Sequence, residues 1–195
     1  MSLREERKAA TRLAISESAA TLLLEEGMSA LTVARVSERA GVSPRTFHNY
    51  FADIDEALLE FVGKVFGAIA EQIAALPPEL SAAEAIEAIV TESLTEDKSE
   101  LYSASTLVFL EEQAHATSRK PPSEETFEDL TDPLVESIRG RAPGVTRFDA
   151  EVLLSAYCFA GAAALKTYRA LPEPRDPEKG RALVRRAFEL LTGAH

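Results

Sequence analysis

Residues Leu31–Phe51 read LTVARVSERAGVSPRTFHNYF, and this stretch decides the fold. Val33, Val36 and Ala40 recur at i, i+3 and i+7, and Phe47, Tyr50 and Phe51 at i, i+3 and i+4. Two short helices are therefore predicted, each with one buried face. Between them Gly41 supplies the left-handed conformation that stops the first helix, and Val42 plugs the angle. Ser43 then gives an N-cap and Pro44 a proline at the first helical position. The second helix is left with Arg45, His48 and Asn49 on its outward face. This is the helix-turn-helix layout that puts side chains into a DNA groove.

Working outward, a first helix is predicted over Leu3–Glu26, with Ile15, Ala19, Leu22 and Leu23 buried and Gly27 ending it. After the reading helix, Asp53 and Glu56 stand at capping-box spacing for a fourth helix out to about Ala75, striped by Leu58, Phe61, Val62, Val65, Ile69 and Ile73. Because it starts directly behind the reading helix, a tilt at its far end moves Arg45 and His48. Pro77 and Pro78 break the chain, and Ser81 with Glu84 opens a fifth helix through Leu94. A sixth is expected over Glu100–Ser118, and a seventh through Phe127, Leu130, Leu134, Val135 and Ile138 that must kink or restart at Pro133 and end at Gly140, Pro143 and Gly144. Thr146 with Asp149 opens an eighth to about Ala170, and Asp176 with Pro177 a ninth ending at Gly193. The expected fold is all-α, about nine helices, divided into residues 1–53 as a DNA-binding head and 54–195 as a helical effector-binding and dimerisation body.

Composition agrees with an all-helical chain. The 195 residues are 46% apolar, rich in Ala, Leu and Glu, and hold no Trp. The net charge of −11 argues against a nucleic-acid partner until it is divided along the chain. Residues 1–54 hold seven basic and seven acidic groups, so the whole deficit lies in 55–195. An acidic body behind a neutral head is repelled by DNA and turns the head toward it, although acidic helical surfaces also serve solubility alone. The single cysteine, Cys158, excludes an intrachain disulfide and is expected as a small buried hydrophobe. The charged N-terminus does not read as a signal peptide, and no apolar run approaches the ~18–20 residues of a membrane span, so a cytoplasmic location is expected.

The helix-turn-helix residues Thr32, Val33, Ala40, Gly41, Val42, Ser43, Thr46, Phe47, Tyr50 and Phe51 resemble the DNA-binding head of the TetR (tetracycline-repressor-like) family of transcriptional regulators, the match running over roughly Arg12–Leu59. The resemblance implies a ligand-responsive regulator, most simply a repressor, that binds a near-palindromic double-stranded operator as a homodimer and is released by a small molecule. It places Arg45 and His48 at base edges, Thr46, Asn49 and Tyr50 near phosphates, Thr32 capping the first reading helix beside the backbone, and Ser43 and Pro44 at the start of the second. It also brings Arg4, Arg7, Lys8 and Arg12 near the flanking DNA backbone; a solvated charged end is the plainer alternative. One position departs. Members commonly carry a phosphate-reaching lysine three residues after the closing aromatic, where this chain has Ile54.

In the family the effector sits among the central body helices. The candidate walls here are Phe66, Tyr102, Phe109, Phe127, Tyr157 and Phe159, with Glu112 or His115 as a polar handle. The family dimerises through its last two helices. Here Ala156, Ala160, Gly161 and Ala164 permit close approach and Leu183, Val184, Ala187, Leu190 and Leu191 form a stripe, unless both stripes are buried within one subunit. No GxSxG, HExxH, P-loop or CxxC is present, and His48, His115 and His195 lie far apart, so neither a catalytic centre, a cofactor nor a metal site is expected. A helical small-molecule-binding protein or enzyme whose helix-turn-helix is an architectural corner is the competing reading. The crowding of Arg45, Thr46, His48, Asn49 and Tyr50 on one short helix disfavours it.

Overall fold

The computed structural model describes residues 2–94, 101–116 and 122–193, the side chains of 114–116 excepted. In chain order these form α1 (Leu3–Glu26), a short 3₁₀ turn (Met28–Ala30), α2 (Val33–Arg39), α3 (Pro44–Tyr50), α4 (Ile54–Ala75), α5 (Ala82–Glu92), α6 (Ala104–Ala116), α7 (Glu124–Arg141), α8 (Arg147–Arg169) and α9 (Pro177–Thr192). Among the described residues there is no strand.

Each of these helices starts at a Ser, Thr or Asp whose side chain accepts a backbone N–H two or three residues on. The caps are Ser2, Thr32, Ser43, Asp53, Ser81, Ser103, Ser123, Thr146 and Asp176. Such a cap satisfies one of the first-turn N–H groups that lack an intrahelical partner and is worth about 1 kcal/mol. Ser81 with Glu84 and Thr146 with Asp149 close full capping boxes, as their spacing requires. Glu56 departs slightly: its N–H goes to Asp53 Oδ1 (2.9 Å), but its carboxylate reaches past the cap to the N–H of Ala52 (2.7 Å).

Two helix bounds need correction. The expected limits of the sixth helix, Glu100 and Ser118, lie outside the described residues, but Leu101 stands ahead of the helix, which starts at Ala104 with Ser103 accepting the N–H of Thr106. α7 runs continuously through Pro133, which lies on its exposed side. Gly140 lies inside α7, which ends only at Arg141.

The chain divides into two compact units. One holds the described residues up to Lys64 together with 109–116, and the other holds Val65–Val108 and the described residues from 122 onward. In the first, the apolar faces of α1, α2 and α3 converge on Ile15, Ala19, Leu22, Leu23, Val36, Phe47 and Phe51, each no more than 2% exposed. Burying one of the larger of these side chains is worth about 1.5–3 kcal/mol, which is what fixes α2 and α3, helices of seven residues that would not survive alone, against α1.

In the second unit α8 packs against α5, α7 and α9. Tyr157 of α8 stacks on Phe188 of α9, ring centroids 5.3 Å apart and planes 9° off parallel. Gly161 lets α8 approach α5 so closely that a Cβ at that position would stand 2.9 Å from Val90 Cγ2. α8 is long and apolar enough, by length and composition, to cross a membrane, contrary to the sequence expectation. Its apolarity has a local use, since Leu154, Tyr157, Ala164, Leu165 and Tyr168 are buried within the unit. α7 is fastened to α4 by polar contacts. Ser137 Oγ donates to the carbonyl of Ala70 (3.1 Å), and the Arg141 guanidinium donates to those of Ile73, Leu76 (2.9 Å), Pro77 (2.8 Å) and Leu80 (3.2 Å).

Candidate nucleic-acid interface

The turn between α2 and α3 is built from backbone up. Gly41 takes φ +66°, a conformation costly to any residue with a Cβ. The chain reverses so tightly there that the N–H of Val42 reaches back to the carbonyl of Ser37 (2.9 Å). Ser43 then accepts the N–H of Thr46 (3.0 Å) and shares a hydroxyl hydrogen bond with Thr46 Oγ1 (2.8 Å), while Pro44 starts α3 where no N–H is needed. Thr32 caps α2 through the N–H of Arg35 (3.3 Å).

Phe47 and Phe51 point inward, so the opposite side of α3 must face out. Arg45, His48 and Asn49 are exposed, Thr46 and Tyr50 half-buried, and Ser43, Pro44 and Thr32 lie exposed at the helix starts. The structure thus brings all eight expected DNA-facing residues onto α3 and the start of α2. His48 stands edge-on to the buried ring of Phe47, centroids 5.3 Å apart at 85°, which orients the imidazole without covering it.

The head's cations are not alike. Arg35 makes a two-pronged pair with Glu26 (2.7 and 2.8 Å), and Arg39 pairs with Glu25 (2.8 and 3.1 Å). Arg12, which the resemblance brings near the flanking DNA backbone, has partners within the head. It donates to the carbonyl of Tyr50 (2.9 Å) and to Glu60 (3.0 Å), and lies 4.4 Å above the Phe51 ring. No local sequence signal marks this contact, because its partners lie 38 and 48 residues away. Among the described residues Arg45 carries no ion pair, so its guanidinium fork is free for an external acceptor.

The Ile54 departure has a structural counterpart. The first turn of α4 carries Asp55 and Glu56, and its N–H of Glu56 is already taken by Asp53. A helix start that receives a phosphate needs free N–H groups and positive potential; this one offers carboxylates.

The expected effector residues fall on both units. Phe109 and Glu112, half-buried, belong to the first; Phe66 and Tyr102, half-buried, belong to the second together with Phe127 and Tyr157. Phe127 is 54% exposed on α7, and Tyr157 is engaged in its stack on Phe188. The side chain of His115 lies outside the described residues. Phe159 is 72% exposed and Cys158 is exposed, not buried as expected, because both sit on the side of α8 away from α5 and α9. Two shallow depressions mark the second unit, one of about 470 Å³ lined by Glu84, Glu87, Thr91 and Arg181, the other of about 350 Å³ lined by Thr167, Leu171, Lys179 and Leu183. Neither is lined by an expected effector residue.

The two expected stripes divide. Gly161 and Ala164 of α8 and Val184 of α9 are buried inside the subunit, Ala156, Ala160, Leu183 and Ala187 are half-buried, and Leu190 and Leu191 are exposed; on α8, outside the stripe, Phe148 (71%), Val152 and Phe159 are exposed too.

Residues 15–61 match the family model described as bacterial regulatory proteins, tetR family. No curated protein matches the chain. Among solved structures, it is similar to a transcriptional regulator from Rhodococcus sp. Rha1, with TM-score 0.64 at 16% identity over 93% of this chain and 96% of that one. It is similar also to the multidrug binding protein EbrR complexed with imidazole (TM-score 0.60, 19% identity, 90% and 93% covered). A third is a tetR family transcription regulator from Shewanella sp. PV-4 (TM-score 0.59, 20% identity, 91% and 95% covered). Residues 15–61, which hold the helix-turn-helix, are thus similar to the tetR family model, and the chain as a whole shares the fold of these solved structures.

Proposed function

We propose that the chain is a repressor that binds a near-palindromic operator as a homodimer and is released by a small organic effector. The observation that carries this reading is the outward face of α3, where Arg45 is unpaired among described residues while Arg12, Arg35 and Arg39 are all engaged. Arg45 suits a guanine edge, which accepts two hydrogen bonds from a planar fork, and His48 stands beside it for a neighbouring base. Thr46, Asn49 and Tyr50 from α3, with Thr32, Ser43 and Pro44 at the two helix starts, set the register on the phosphates.

Residues 1–53 serve as the reading head and 54–195 as the effector and dimer body. Exposed Phe148, Val152 and Phe159 on α8 and Leu190 and Leu191 on α9 support pairing of two copies through these helices, since large apolar side chains left in water are stabilised by cover. EbrR, a protein of the same fold, was solved with imidazole and with malachite green, which supports a small organic effector for this body too. α4 gives its first turns to the head unit and its remainder to the other, so an effector that prefers one placement of α4 biases the spacing of two heads. A coupling of about 1–3 kcal/mol is enough to lower operator affinity several-fold or more. A DNA-reading head also requires the compartment that holds DNA, here the cytoplasm.

A gel shift with duplexes from the promoter regions flanking its own gene tests the reading. Arg45→Ala with Asn49→Ala is expected to weaken binding by about 1–3 kcal/mol for each side chain that no longer reaches a base edge. Equal affinity of variant and parent would remove the reading face.

A further inference from the structure

The first unit contains one polar assembly that DNA reading does not explain. The Arg12 guanidinium, from the middle of α1, reaches three things at once: the carbonyl of Tyr50 (Nη1, 2.9 Å), Glu60 (Nε, 3.0 Å) and Glu56 (Nη2, 3.7 Å). Its flat face covers the ring of Phe51 at 4.4 Å. Tyr50 ends α3, and its carbonyl is one of the last-turn acceptors that a helix leaves without an internal donor, at the negative end of the helix dipole. Glu56 and Glu60 stand one turn apart on the first two turns of α4. The second oxygen of Glu56 holds the N–H of Ala52, in the three-residue link between the helices.

We propose that Arg12 is the positioning residue of the reading unit, locking the end of α3 to the first two turns of α4 so that both move as one piece, and that it is not a phosphate contact. The chemistry favours the internal role. A guanidinium that hydrogen-bonds a carbonyl and one carboxylate and pairs with a second carboxylate at 3.7 Å has its partners fixed by the fold, and only about a third of its side chain (34%) is exposed. Charge-assisted hydrogen bonds of this kind are about twice as strong as neutral ones, and only a planar fork meets both acceptors while pairing with Glu56. The lock also explains how a displacement of α4 reaches Arg45 and His48 through a link of only three residues, 51–53, instead of being absorbed there. The last point rests on the proposed DNA reading; the lock itself does not.

Two measurements test it. The first uses the full chain without DNA. Hydrogen exchange of Arg12→Gln is expected to speed up about tenfold at amides 51–57, the loss of one charge-assisted hydrogen bond, with α5 and α9 unchanged. Arg12→Lys should behave like Arg12→Gln, since an ammonium cannot span the same partners. Unchanged exchange at 51–57 would overturn the proposal. Should Arg12→Gln fail to fold, Glu60→Gln tests the same lock, with faster exchange at the same amides. The second measurement follows duplex affinity across salt concentrations. The lock predicts that Arg12→Gln weakens binding several-fold with an unchanged salt slope, and that Glu60→Gln also weakens it. A phosphate contact predicts the opposite pattern: a slope reduced by about one, rescue by Arg12→Lys, and tighter binding by Glu60→Gln once the carboxylate no longer competes. That pattern would overturn the proposal. If the parent binds no duplex, the DNA reading fails while the exchange result still decides the lock.

Discussion

The two units close their helices differently. In the head, Arg12 ends α3 by gripping one carbonyl together with two carboxylates, so its charge is neutralised where it acts. In the other unit, Arg141 ends α4 by donating to four backbone carbonyls, and acidic groups stay on the surface. The apolar surfaces differ too. Among described residues the head leaves only Leu3 as an exposed large hydrophobic, whereas the other unit leaves Phe127, Phe148, Val152, Phe159, Leu190 and Leu191. The head is complete in itself and presents polar groups outward; the body carries surplus apolar surface that calls for cover. On the proposed function the contrast has a use, since a reader needs rigidity and hydrogen-bonding side chains and an assembling body needs a face to lose.

The largest effect that sharpens this contrast comes from the cores. Phe47→Ala and Phe188→Ala each remove a ring no more than 3% exposed, and each is expected to cost about 3–5 kcal/mol by urea unfolding. If the two units are energetically distinct, far-UV melting of the first variant loses the head's helices while the second spares them. Identical single transitions would dissolve the comparison.

Arg141→Ala comes next. It strips four carbonyls, in the last turn of α4 and the segment that follows it, of a charged donor and is expected to cost about 1.5–3 kcal/mol in thermal denaturation, with faster exchange at 79–82. A loss confined to a few tenths would mean that water replaces the guanidinium and that α4 needs no such clasp.

Two glycines then separate torsion from crowding. Gly41→Ala is expected to destabilise by about 1–2 kcal/mol because φ +66° is costly to alanine, and Gly161→Ala by a similar amount because its Cβ meets Val90 at 2.9 Å. Val90→Ala should couple strongly to the second and not to the first in a double-mutant cycle. Equal coupling to both would place the strain elsewhere.

The smallest effect is shared by both units. Ser2 hydrogen bonds lower the pKa of Glu5, and hydrogen bonds from Ser81 and Thr146 lower those of Glu84 and Asp149. A carboxylate whose folded pKa lies below its unfolded one contributes stability at neutral pH that disappears as pH falls through the folded value. Acid titration should therefore loosen α1 and α5 as pH falls below the ordinary glutamate range, and α8 below the ordinary aspartate range, and Glu84→Gln should remove the effect from α5 alone.

These contrasts also show what sequence can carry. Helix starts were legible because their signals are local: Thr32, Ser43, Pro44, Gly41, Ser81 and Thr146 all act within three residues of themselves. The outward face of α3 followed from the spacing of Phe47, Tyr50 and Phe51. Ends marked by a local glycine, such as Gly27 and Gly193, were legible too, but the side-chain clasps of Arg12 and Arg141 were not, since they reach partners 38 to 68 residues away and nothing local distinguishes them from solvated cations. The division of the α8 stripe escaped for the same reason. Spacing alone does not say that Gly161 will meet Val90 while Phe159 stays uncovered. Ser103 was missed as a cap because Glu100 and Leu101 already fitted a helical pattern.

Everything turns on what α3 touches. Hydroxyl-radical footprinting of parent and Arg45→Ala/Asn49→Ala protein on duplexes from the flanking promoter regions measures this directly. The expected result is a pair of protected half-sites about 34–36 Å apart, or a multiple of that, for the parent and none for the variant at the same concentration. Protection of the same bases by both proteins would contradict it.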